Sequence, residues 1–316
     1  NITADANTTG AVFGSSVTGI ETITVVADGT KDAYIKTANE QATSSLTLTV
    51  DGSALTNSSA KLVYVSQESG SGESQATINV TGGAGDDTMT GATEYSNFTG
   101  GDGNDTFKFA TANLTSKDTI VGGDGVDVLH ITAASTIVDS DFDNVTSVAT
   151  IVQGTTNAAQ TITLGSAADA AGIATITGNG SGVETVTVGA GFDNDLTIDI
   201  SNSSTVAGNE NIDASASAST ITITSSLTGI TADDTIKGGT GASDTITLTA
   251  ATSQTAVFGA SFTGFETIGV TAATTNHLTV TVGNALSAGE TITLNAAVMT
   301  STLADLVFDG SAQVSG

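Results

Sequence analysis

Between positions 82 and 108 three nine-residue units follow one another without a gap, GGAGDDTMT, GATEYSNFT and GGDGNDTFK, and a fourth, GGDGVDVLH, occupies 122–130. Their shared form is GGxGxDxUx, in which U is a large apolar residue, here Met89, Phe98, Phe107 and Leu129. A nine-residue period leaves a chain few options. Each unit is one turn and one short strand that cannot bury its apolar residue alone, so successive units must stack. Two units make one coil, which places 82–90 and 100–108 on the same side with their turns one above the other. The U side chains then fill the space between stacked strands.

Outside this run the patterning is period two: TITVV, LTLTV, LTIDI, TITIT and LTVTV alternate β-branched or Leu residues with Thr or Asp. Such alternation describes half-buried strands, with Thr laddered on the outer face from coil to coil. Among 316 residues there is no proline to interrupt stacking, and 37 glycines mark the turns. A sandwich of hairpins is the competing arrangement. Two-residue hairpin turns are scarce, however, the main candidates being Asp28-Gly29, Asp51-Gly52 and Asn179-Gly180. Helical signals are weak, and 168–171 is too short to matter. The expected fold is all-β, a parallel β-solenoid of the β-helix or β-roll kind built from Gly/Asp turns and strand repeats.

Longer self-similarity supports this. AVFGSSVTGIETITV at 11–25 returns as AVFGASFTGFETIGV at 256–270, and its core returns as GVETVTV at 182–188. KDTIVGGDGVDVLHITAA at 117–134 parallels DDTIKGGTGASDTITLTAA at 233–251, and DGSALTNSS at Asp51 is matched by DASASASTI at Asp213 and NAAVMTSTL at Asn295. These pieces divide the chain into a strand-repeat module at 1–81, the nonapeptide roll at 82–130, a second module at 131–237 and a third at 238–316 with a degenerate Gly/Asp turn. The first and last modules read as truncated, as in a piece of a longer array.

Six lysines, no arginine and 33 acidic residues give a formal charge of −27. Such a balance repels nucleic acid and anionic lipid, so neither is expected as a partner. A hydrophobic content of 38% rich in Val and Ile separates the chain from acidic disordered sequences. No cysteine is present, so disulfides and thiolate metal sites are ruled out. No apolar run approaches the ~20 residues of a membrane helix, and no secretory leader opens the sequence. His130 and His277 are the only imidazoles, and no Ser/His/Asp order suggests a nucleophilic triad. Carboxylate pairs such as Asp233-Asp234 lack the aromatic platforms that sugar chemistry uses. The expectation is a protein that is not an enzyme.

The nonapeptide instead carries the chemistry of a hard cation. Paired glycines allow a tight turn with inward carbonyls, and the sixth-position Asp adds a carboxylate; oxygen-only ligation suits Ca²⁺ better than any transition metal. Candidate ligands are Asp87 and Asp105, with the carbonyls of Gly82, Ala84, Gly100 and Asp102. If 109–121 forms the opposite half-coil, Asp127 stacks on Asp105 and its unit adds Gly122 and Asp124. On the other side Ser96, Asp118 and Asp234 fill the sixth-position slot, and Asp244 is the counterpart in the expanded unit at Gly238. Asp86, Asp102 and Asp124 are not obligatory motif positions, and their side chains either add charge or face water. The competing reading has these Asp residues capping turns, which by itself requires neither the GG pair nor the nine-residue register. Glu21, Glu184 and Glu266 share one context, φ-E-T-φ, and a recurrent structural Glu at the start of a strand is the simpler account of them.

At these residues the chain resembles the RTX calcium-binding family, in its surface-layer and large-adhesin members. GIETITV and FETIGV are similar to strands interleaved with nonapeptides in the Caulobacter-type surface-layer protein and in cyanobacterial β-strand-repeat proteins. Unit 91–99 departs from the motif, lacking both GG and Asp, so calcium sites should be few and clustered. The resemblance implies an extracellular, cell-surface protein that leaves the cell by type I export and folds on meeting calcium. It also implies self-assembly into a layer or filament, with cell-surface polysaccharide engaged through regions beyond these residues. The alternative is the repeat spacer or binding region of a large secreted RTX adhesin.

Overall fold

Alternating sequences become strands of alternating burial in the computed structural model, which describes residues 2–3, 11–13, 20–38, 47–67, 76–93, 95–110, 113–133, 136–154, 159–178, 184–201, 210–241, 243–250, 253–272, 277–282, 292–296 and 305–310. The turn at Asn179-Gly180 and the repeat segments 14–19, 182–183 and 297–303 lie outside these residues. The described chain is nearly all parallel β with about 6% helix, a β-solenoid of about ten turns. It divides into two compact units, 1–151 with 170–173, and 152–169 with 174–316.

In the first unit one row of parallel strands comprises Thr22–Val26, Thr47–Asp51, Thr77–Thr81, Tyr95–Asp102 and Thr119–Asp124. A second row comprises Ala33–Ala38, Leu62–Gln67, Thr88–Thr90, Thr106–Phe109 and Val128–Ile131. Consecutive strands alternate between the rows, as a coil requires. The nonapeptide U residues do what their size demands. Met89, Phe107 and Leu129 lie in register and Phe98 occupies the facing row, all at most 1% exposed. Tyr64 meets Phe98 edge-on at 6.0 Å and gives its hydroxyl a buried partner in Thr37, at 2.9 Å. Each such buried apolar side chain contributes about 1.5–3 kcal/mol.

The second unit repeats the plan with Gln160–Leu164, Glu184–Val188, Asn211–Asp213, Thr235–Lys237 and Phe262–Thr263 in one row. Thr175–Thr177, Leu196–Asp199, Ile221–Ser226, Thr245–Ala250, Thr267–Ala272 and Thr293–Asn295 form another. A three-stranded sheet of Gln254–Phe258, His277–Val282 and Asp305–Asp309 follows. Ile162, Val186, Ile212, Ile236 and Phe262 stack through its core. In the other row, on the outer face, Thr197, Thr222, Thr245, Thr267 and Thr293 align from rung to rung. A six-residue helix, Ser166–Ala171, interrupts the strands. The recurrent Asp-x-Ser pieces have one cause. At Asp51 and Asp213 the carboxylate accepts both the backbone N–H and the hydroxyl of the serine two positions on, turning the chain out of a strand.

Candidate functional site

The backbone N–H of a residue just before a strand has left the turn and has not yet reached its ladder partner. In this protein an acidic side chain from the next coil receives it. Leu62 N–H donates to Asp87 Oδ1 at 2.6 Å, Asp87 N–H to Asp105 Oδ1 at 2.7 Å, and Asp105 N–H to Asp127 Oδ1 at 2.8 Å. The coils separating these aspartates are 18 and 22 residues long, so the insertion before the fourth nonapeptide leaves the column intact. All three aspartates are 1% exposed. Asp127 therefore stacks on Asp105, and Asp105 on Asp87.

The second carboxylate oxygens behave differently along the column. Asp87 Oδ2 accepts Gly83 N–H at 2.5 Å, whereas Asp105 Oδ2 and Asp127 Oδ2 are buried without a hydrogen-bond partner. Each faces the first glycine of its own unit. A methyl group on Gly100 would overlap Asp105 Oδ2 and the Gly122 carbonyl, and one on Gly122 would overlap Asp127 Oδ2 and the Ser147 carbonyl. Carboxylate and carbonyl oxygens thus converge where only glycine fits. Gly101, Gly103, Gly123 and Gly125 hold φ between +106° and +130°, a region closed to L side chains. Beyond Gly122 the slot is taken by Ser147, which adopts φ +56°.

Electrostatics follow from this burial. Desolvation pushes Asp87 up to about 6 against N–H bonds from Leu62 and Gly83 that favour its charge. Asp105 rises further, to about 7, through burial and the neighbouring charges of Asp87 and Asp127. Burial also raises Asp127. The column is uncomfortable as bare carboxylates. The donor set is oxygen only, so the residues fit a hard cation, which Asp105, Asp127, Gly100 and Gly122 could hold.

The remaining expected ligands divide between the column and other places. Gly82 belongs to the column, its Cα packed against Asp87 Oδ2 and the Gly100 carbonyl. Ala84 is half-buried and gives its N–H to Leu55. Asp102, expected to offer its backbone carbonyl, pairs in register with Asp124, and both residues are exposed. Asp118 is buried and in register behind Ser96, yet both its oxygens are occupied, by Ser96 N–H at 2.8 Å and by Thr115 N–H and hydroxyl at 2.8 and 3.1 Å. Asp234 repeats that closure with Glu210 N–H at 3.0 Å and Thr231 N–H at 2.7 Å. Asp118 and Asp234 are turn caps in this geometry. Asp244, 0% exposed, accepts Ile221 N–H at 2.7 Å, and its Oδ2 lies beside the Gly239 backbone without a well-formed hydrogen bond.

Glu184 and Glu266 of the φ-E-T-φ segments sit at the head of a strand as the nonapeptide aspartates do, Glu184 in one row and Glu266 in the other, whereas Glu21 is exposed. Asp244 N–H donates to Glu266 Oε2 at 2.8 Å, and Glu184 N–H to Glu210 Oε2 at 2.7 Å, the same linkage that joins Asp87 to Asp105. Sequence reasoning missed Glu210, because Asn211 follows it where the other copies have Thr. An acid immediately before an alternating strand was the usable signal.

His130 is part-buried beside Lys108, its pKa lowered mainly by desolvation, and His277 contacts Asp305 at the surface. No group of three or more His, Cys, Asp or Glu is placed to hold a metal ion among the described residues. A hard cation held largely by backbone carbonyls would not need one. Fold and site together define a parallel β-solenoid with buried carboxylate columns. No protein-family profile, curated protein or solved structure matches the chain.

Proposed function

We propose that this chain is a calcium-stabilised structural segment of a bacterial surface layer or extracellular filament, one that assembles with copies of itself. The observation that carries the proposal is the Asp87–Asp105–Asp127 column, where two buried carboxylate oxygens without partners, on Asp105 and Asp127, lie near the Gly122 and Ser147 carbonyls of the adjoining coils. Calcium, when bound there, supplies positive charge against these oxygens and ties neighbouring coils together. The chain does the rest. Its glycines keep the cradle open, its backbone N–H groups fix one oxygen of each aspartate, and Phe107 and Leu129 close the core beneath.

A formal charge of −27 makes the unliganded chain self-repelling, which suits a protein that stays unfolded where calcium is scarce and compacts outside the cell. Repetition of one rung serves a scaffold better than it serves a reaction centre. The test is assembly. Purified chain brought into calcium should form ordered sheets or filaments visible by electron microscopy, and Asp105→Asn with Asp127→Asn should assemble poorly. Isolated molecules at all calcium concentrations would remove the self-assembling role and leave the spacer of an adhesin as the better reading.

A further inference from the structure

Away from the nonapeptides, the second unit buries another polar column. Gln160 pairs in register with Glu184, while Thr185 pairs with Asn211 and Asn211 with Thr235, so Gln160, Glu184, Glu210 and Asp234 occupy one position on successive rungs. None of the four is more than 3% exposed. At the Asp234 end the column is closed. Thr231 N–H and Glu210 N–H take both oxygens of Asp234, and Glu184 N–H fixes Glu210 Oε2 at 2.7 Å.

The Gln160 end is not closed. Gln160 is 1% exposed and neither Oε1 nor Nε2 has a hydrogen-bond partner. Burying an amide in that state is unfavourable, and native proteins rarely do so without a ligand or water beside it. The adjoining rung offers a buried carboxylate, Glu184, with a second one behind it at Glu210. Lys237, on the strand that follows Asp234, is committed to Asp213 at 2.7 Å and does not serve the column. We infer that Gln160 Oε1 and the Glu184 carboxylate hold a hard cation of the Ca²⁺ class between their two rungs, with Glu210 adding charge from the next.

The spacing suits the ion. Parallel strands lie about 4.8 Å apart, and Ca²⁺–oxygen distances are about 2.4 Å, so one ion reaches oxygens on both rungs. The ligand set joins an amide to a carboxylate, which is why it forms no cluster of three acids. This site uses no GG turn, and it stands whether or not the nonapeptide column binds calcium.

The experiment counts ions and measures melting on the full chain. Isothermal titration with CaCl₂ should show that Gln160→Leu and Glu184→Gln each bind one Ca²⁺ fewer than the parent, while Asp105→Asn keeps that ion. Gln160→Leu should also melt higher than the parent in EDTA, since it removes an unpartnered amide, yet gain less on adding calcium. Equal stoichiometry in the parent, Gln160→Leu and Glu184→Gln would overturn the inference and leave buried water as the partner of the amide. Loss of an ion in Asp105→Asn but in neither of the other variants would do the same, and would leave the nonapeptide reading intact. The reverse pattern would support this site and remove that reading.

Discussion

Asp105 is the residue on which the chemistry turns. Its carboxylate sits at the centre of the column, raised to about 7 by burial and by two like-charged neighbours, with one oxygen held by Asp87 N–H and the other unpartnered. The consequence for stability has a definite sign. A carboxyl whose folded pKa lies above its unfolded value of 3.8 favours the folded state while protonated, and that advantage fades as pH rises towards the folded value. With Asp87 at about 6 and Asp105 at about 7, the chain in EDTA should lose melting temperature steadily from about pH 4 to pH 7 and level off above. Calcium should flatten that slope, since it competes with the proton for the same oxygens. Thermal melts across pH, with and without calcium, test this; identical slopes would place the titration elsewhere. Gly123 supplies a second test at this scale. Its φ of +114° and the overlap a methyl would make with the Gly101 carbonyl predict that Gly123→Ala costs about 2–3 kcal/mol by chemical denaturation.

At the scale of the element, the unit is a turn, an acid that receives an N–H from the coil before, and a strand whose alternate residues enter the core. Phe107 shows how firmly one strand depends on its neighbours, because it packs in register between Met89 and Leu129 at 0% exposure. Phe107→Ala should cost about 3–5 kcal/mol in the calcium-loaded protein, more than an outward Thr→Ala on the same strand, as read from urea midpoints. Much of this is legible in the residues alone. Period two identified the strands, the nine-residue register put Asp87 under Asp105, and the U positions named the core residues. What escaped did so for physical reasons. Asp118 and Asp234 look like motif aspartates, but each satisfies the N–H three residues before it, at Thr115 and Thr231, so its second oxygen is spent locally. Glu210 and Gln160 were invisible because burial of a polar side chain depends on rung register, and rungs of 24 and 26 residues carry no fixed spacing to read. Ser147 occupies a glycine slot in a left-handed conformation that its residue type does not announce.

For the whole molecule the controlling fact is a charge of −27 on a chain with six lysines, a part of which is buried in carboxylate columns within each unit. Apolar stacking favours the coiled state and the columns oppose it, so the balance should depend on what neutralises them. Protons do so at low pH, and a bound hard cation would do so at neutral pH. On the function proposed above, calcium is a condition for folding. Its most direct test is far-ultraviolet circular dichroism of the full chain at neutral pH, melted in EDTA and again in excess calcium. Chelation should abolish the β-spectrum or lower the melting temperature markedly, with recovery when calcium is restored. A β-spectrum and melting temperature unchanged by EDTA would contradict it.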